Sequence, residues 1–177
     1  MKRYFLIICL IGTCSIAFAQ VYNVNALKYK GTSNNITAIW KYLNTESTGQ
    51  SIISSVLIKN KTSKDITITK DDDLTITFTN HIYNCKVSSD ATIKKEEILS
   101  VLMSTEDQNI SSEQLNLFNF KIQVLKTGHD QLYNEKMTAQ DRIKSAKELT
   151  DVCKVVLFIK SLNIKIQMLP IFENTDD

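Results

Sequence analysis

The apolar residues of this chain change their period once. Up to about residue 88 they tend to recur at every second position. Ala38, Trp40 and Tyr42 are interleaved through Thr37–Leu43, and Ile52–Ile58 is apolar and rich in β-branched residues. Ile66-Thr67-Ile68-Thr69 and Leu74-Thr75-Ile76-Thr77-Phe78 alternate strictly, and Tyr83, Cys85 and Val87 continue the pattern. Polar stretches at Lys59–Asp65 and Lys70–Asp73 separate these runs. Short alternating runs between polar turns predict an antiparallel meander with one buried face, either half of a sandwich or a curved sheet.

From Thr92 onward the pattern reads as helical. KKEEILSVLM predicts a short helix. Ser111-Ser112-Glu113-Gln114 then places a serine three residues before a glutamine, the signature of a capping box. Behind it Leu115, Phe118, Ile122, Leu125, His129 and Leu132 are spaced by threes and fours, one stripe of a helix. Thr138-Ala139-Gln140-Asp141 caps a second helix, whose apolar face carries Ile143, Ala146, Leu149, Cys153 and Val156. Two capped amphipathic helices joined by a short polar link predict an antiparallel helical hairpin. From Val155 the chain is densely apolar, and NIKIQML alternates like a strand that returns to the sheet. The fold class expected from these patterns is α+β: an N-terminal antiparallel β-meander packed with a C-terminal α-helical hairpin. It forms one domain over 20–177, strand-rich to about 88, helix-rich over about 92–162, with an apolar tail at 163–172.

The first 19 residues stand apart. Lys2 and Arg3 precede the apolar run FLIICLI, and Ala17-Phe18-Ala19 puts small residues at the third and first positions before Gln20. That is the pattern of a cleaved signal peptide, and the run is shorter than the about 20 residues a membrane-crossing helix needs. The expected mature chain starts at Gln20, is exported to the periplasm or beyond the cell, and contains no transmembrane segment. Lipid attachment at Cys14 is the less favoured alternative, because Thr13 fits poorly before a lipidated cysteine.

Export changes the reading of charge and cysteine. The full chain carries 21 basic and 19 acidic residues, so loss of Lys2 and Arg3 leaves 19 against 19. A neutral chain argues against nucleic acid as a partner, since backbone binding needs a basic excess. Cys85 and Cys153 alone remain after the signal, and in an oxidising compartment an even pair predicts one disulfide. A loop of that length would add roughly 4 kcal/mol in the chain-entropy picture. Three Asn-x-Ser/Thr sequons, at Asn35, Asn60 and Asn109, are about as many as the composition gives by chance.

Motifs for chemistry are sparse. Gly31, Gly49 and Gly128 lie too far apart to cradle a phosphate, and there is no Gly-x-Ser-x-Gly elbow, His-Glu-x-x-His helix or Cys-x-x-Cys pair. His81 with Cys85 does not have the spacing of a metal site, and Lys70-Asp71-Asp72-Asp73 lacks the rest of a calcium loop. His129 could activate Cys153, with Asp130 or Asp151 orienting the base, which would make a thiol hydrolase. A disulfide would consume that cysteine. The sequence therefore predicts no catalytic residue, cofactor or metal. It predicts a non-enzymatic module that binds another protein, such as an inhibitor, an immunity-type protein or a subunit of an envelope assembly. A carrier of small apolar ligands is the alternative, with thiol hydrolysis behind it. Trp40 is expected in the core.

Overall fold

The computed structural model describes residues 28–46, 50–79, 81–105, 109–132 and 138–171. Its body is a closed antiparallel barrel of eight strands. In chain order the strands are β1 (Lys28–Ser33), β2 (Ile36–Glu46), β3 (Ser51–Asn60), β4 (Ile66–Ile68), β5 (Asp73–Phe78), β6 (His81–Val87), β7 (Ala91–Ile93) and β8 (Ile98–Ser104), then β9 (Cys153–Ile159) and β10 (Ile164–Pro170). Around the barrel they follow the order β1-β2-β3-β8-β6-β5-β9-β10, and β10 closes back onto β1. β4 and β7 pair with each other as a separate two-stranded sheet. Helices α1 (Ser112–Leu132) and α2 (Ala139–Val152) lie between β8 and β9 in sequence.

This architecture overturns the α+β expectation of a meander packed with a helical hairpin. The sheet is not confined to the first half of the chain. KKEEILSVLM contributes strand β8, paired along its length with β3. Cys153, placed on a helix face by its spacing, begins strand β9. The 3.6-residue pattern was imitated in KKEEILSVLM because the strand carries aliphatic residues on both faces: Val101 and Met103 point inward, while Ile98 and Leu102 stand exposed outside. The two helices do form, and they approach closely. A Cβ added at Gly128 would lie 2.7 Å from Leu149 Cδ2. They serve a barrel rather than forming half of the fold.

The interior follows from strand periodicity. β3 buries Ile52, Ser54, Val56, Ile58 and Asn60, and β10 buries Ile164, Ile166, Met168 and Pro170 while Lys165, Gln167 and Leu169 face outward. Burial of the large aliphatic and aromatic side chains supplies the main drive to fold, about 1.5–3 kcal/mol each. Trp40 lies fully inside, edge-on to Tyr29 with ring centroids 5.3 Å apart. The barrel closes at the β1–β10 seam, where Gly31 is needed for space. A Cβ there would sit 2.2 Å from the backbone oxygen of Gln167.

Both ends of the barrel are covered. At one end α1 begins with a reciprocal capping box: Ser111 N donates to Gln114 Oε1 at 2.9 Å, and Gln114 N donates to Ser111 Oγ at 3.2 Å. The helix then drops Phe118 onto Tyr42, Phe78 and Tyr83, at centroid distances of 5.6, 5.3 and 4.9 Å. Tyr42 Oη donates to Asn119 Oδ1, and Tyr83 Oη donates to the Gln114 carbonyl, so the helix is fixed by hydrogen bonds as well as by packing. At the other end the β4–β7 sheet buries Ile66, Ile68 and Ile93. Asn60 ties it to the barrel by donating to the carbonyls of Lys64, Ile93 and Lys94 and accepting from Thr62 N and Oγ1.

Cys85 and Cys153 are free, buried thiols, which corrects the expected disulfide. The reason is topological. β5 lies between their strands, with Cys85 opposite Leu74 and Cys153 opposite Phe78. Four residues along and two strand spacings across separate the two by about 16 Å. A disulfide bridges Cα atoms no more than about 7 Å apart.

Candidate functional site

Alternation that fills the barrel also decides what its outer wall displays. Two successive outward rows cross β1, β2, β3 and β8. The first is Lys30, Ile39, Leu57 and Ser100; the second is Thr32, Thr37, Lys59 and Ile98. Between them lies a groove of about 220 Å³. Its floor and one side are the aliphatic side chains of Ile39, Leu57 and Ile98, and Lys30, Lys59 and Lys61 stand along its rim. Lys61 is held at the end of the groove because its backbone N donates to the Asn35 carbonyl in the β1–β2 turn, at 2.8 Å. A third row, Lys28, Lys41, Ser55 and Leu102, extends the same mixture toward the α1 end. Ile98 and Leu102 are 49% and 58% exposed.

Charge is handled differently on the opposite wall. There Asp73 on β5 binds Lys160 Nζ at 2.8 Å and Lys86 Nζ at 3.4 Å. Partial burial pushes the Asp73 carboxyl up, but the two lysines outweigh it and hold the group below the usual carboxylate range. Among the described residues, no ion pair involves Lys30, Lys59 or Lys61. Three uncompensated cations beside an aliphatic floor can attract an anionic group by Coulomb force while desolvating an apolar one.

The residues singled out by sequence lie elsewhere. Cys85 and Cys153 face the core, and burial pushes both thiols up to about 12. A nucleophilic cysteine needs the opposite shift. Tyr29 Oη stands beside Cys153 and Ser54 Oγ beside Cys85, close enough to perturb the thiols. Among the described residues neither hydroxyl has a formed hydrogen bond, and Trp40 Nε1 is likewise buried without a partner there. His129 lies on α1, but its side chain is outside the described residues, so its placement relative to Cys153 does not enter. His81 starts β6 and is exposed.

The KDDD turn is structural. Asp72 is fully buried and accepts from Thr69 N and Lys160 N, both at 2.7 Å, joining two loops at one barrel end. Among the three sequons, Asn60 is buried and its amide is consumed by the loop it holds, whereas Asn35 and Asn109 are exposed. Among the described residues, no group of three His, Cys, Asp or Glu side chains is placed to hold a metal ion.

The predicted signal segment, with Cys9 and Cys14, lies outside the described residues. No helix among the described residues is long and apolar enough to cross a membrane. The outward positions of β1, β2, β3, β9 and β10 carry Lys28, Lys30, Lys41, Lys59, Lys154 and Lys165 around an apolar interior. The groove was missed in the sequence because its lysines lie on β1, on β3 and just beyond β3, and only strand register brings them together. No family model, no curated protein and no solved structure matches this chain.

Proposed function

We propose that this chain is an exported, non-enzymatic protein-interaction module that docks through the outer wall formed by β1, β2, β3 and β8. The observation that carries this reading is the lysine-rimmed aliphatic groove on that wall. Two features support it. Tyr29, Trp40, Leu74, Ile76, Cys153, Leu157 and Ile166 fill the barrel interior with no surface open to water, so the interior is spent on stability. The thiols, raised to about 12, favour a structural role over a nucleophilic one.

The test is capture from envelope and medium fractions of the source cells, using the chain from Gln20 and its Lys30→Glu/Lys59→Glu/Lys61→Glu variant. The wild-type chain is expected to retain a defined partner that the variant loses while its circular dichroism stays unchanged. Equal capture by both proteins, or none by either, argues against the reading.

A further inference from the structure

The groove also indicates what kind of partner fits it, an inference that rests on the docking role proposed above. We infer that it takes a short extended segment of a partner protein, about four residues long, in which an aliphatic or aromatic side chain is flanked by Asp or Glu. Three observations lead there. The first is shape. From Lys30 on β1 to Ile98 on β8 the groove spans three strand spacings or about 14 Å, which matches about four residues of extended chain. At about 220 Å³ and open to solvent, the groove is too small to enclose most of a small ligand, whose pockets run to about 300–1,000 Å³.

The second is charge. Lys30, Lys59 and Lys61 bracket the floor with no acidic partner among the described residues, so a carboxylate on either side of the inserted apolar group finds a cation. The third is topology. The groove lies over β2 and β3, which are paired along both edges with each other and with β1 and β8, so no strand edge is free beneath it for an incoming strand to extend. Recognition there must go through side chains, and the wall supplies both kinds. Leu102, one row further along, lets a longer partner continue its apolar contact past the groove.

The experiment is selection of a displayed library of random dodecapeptides on the full exported chain. Enriched peptides are expected to carry at least two Asp or Glu beside Leu, Ile, Phe or Trp. Their binding should fall about tenfold on the Lys30→Glu/Lys59→Glu/Lys61→Glu variant, and by a similar factor between low and 0.5 M salt, because exposed charges are screened. Ile98→Ser, at an exposed floor position, should weaken binding severalfold without changing the urea midpoint. Peptides lacking acidic residues, or acidic peptides indifferent to the lysine variant, would overturn the inference, as would no enrichment at all. So would binding of sodium decanoate at Leu57 and Ile98, followed by methyl NMR, if the acidic peptides leave those signals unmoved. If peptides fail here while the chain still captures a partner through the lysine wall, the inference falls and the docking role stands. If both fail, both fall.

Discussion

Phe118 is the side chain that joins α1 to the barrel mouth, and truncating it should be costly. It is fully buried and meets Tyr42, Phe78 and Tyr83 edge-on or tilted. Phe118→Ala removes the transfer energy of a phenyl ring and leaves a cavity that three rings on separate strands cannot collapse to fill. Such changes cost about 3–5 kcal/mol. The three ring contacts, worth about 0.5–1.5 kcal/mol each in favourable geometry, place this site in the upper half of that range. With a urea dependence of about 2 kcal/mol per molar, a loss of about 4 kcal/mol moves the unfolding midpoint down by about 2 M. Phe118→Leu keeps most of the volume and should lose less than half as much. Trp40, the one tryptophan, is buried and reports the transition by fluorescence. A midpoint shift below about 0.5 M for Phe118→Ala would mean that α1 does not close the barrel, and the packing argument would fail.

Other changes follow from the same packing. Gly31→Ala forces a methyl group into the Gln167 backbone at the β1–β10 seam and should cost about 3 kcal/mol, whereas Thr32→Ala beside it should change stability by less than about 0.5; equal urea midpoints would remove the seam argument. Ser54→Ala deletes a buried hydroxyl that has no partner, so stability should hold or rise; a loss above about 1 kcal/mol would reveal a hydrogen bond to that oxygen. Cys85 and Cys153 should resist Ellman's reagent at pH 8 until the protein is unfolded, and one fast-reacting thiol in the native protein would contradict their burial. Burial keeps both thiols protonated in the native state to about pH 12, while the unfolded chain ionises them from about pH 8.5. Their contribution is therefore complete below the unfolded value and is lost as pH rises toward 12, by about 1.4 kcal/mol per unit for each thiol. Cys85→Ala/Cys153→Ala should flatten that alkaline decline, and an unchanged slope would refute the assignment.

The elements that were legible in the sequence are those whose two faces differ. β4 and β5 alternate isoleucine, leucine or phenylalanine with threonine, and their burial follows that alternation. Ser111 and Gln114 announced the start of α1 because capping is a local reaction between neighbours. β8 was hidden because Ile98 and Leu102 face outward, and an outward aliphatic erases the period of two. β9 was hidden likewise by Val156 and Phe158, which are only half-buried on its outer side. Ile98 is also a floor residue of the groove, so one outward aliphatic disguised the strand and built the candidate site. Barrel closure depends on β10 meeting β1 across most of the chain, and no local signal encodes that pairing. The disulfide expectation failed for the same reason. Compartment and cysteine count suggest a bridge, but the placement of β5 between the two cysteines forbids it.

The most direct measurement is site-specific photocrosslinking in the source cells. A photoreactive residue replaces Leu57 on the groove floor in one strain and Thr77 on the opposite wall in another. Docking through the β1–β2–β3–β8 wall predicts a discrete adduct from position 57, lost when Lys30, Lys59 and Lys61 become glutamate, and none from position 77. Adducts from position 77 alone, or equal adducts from both, would contradict it.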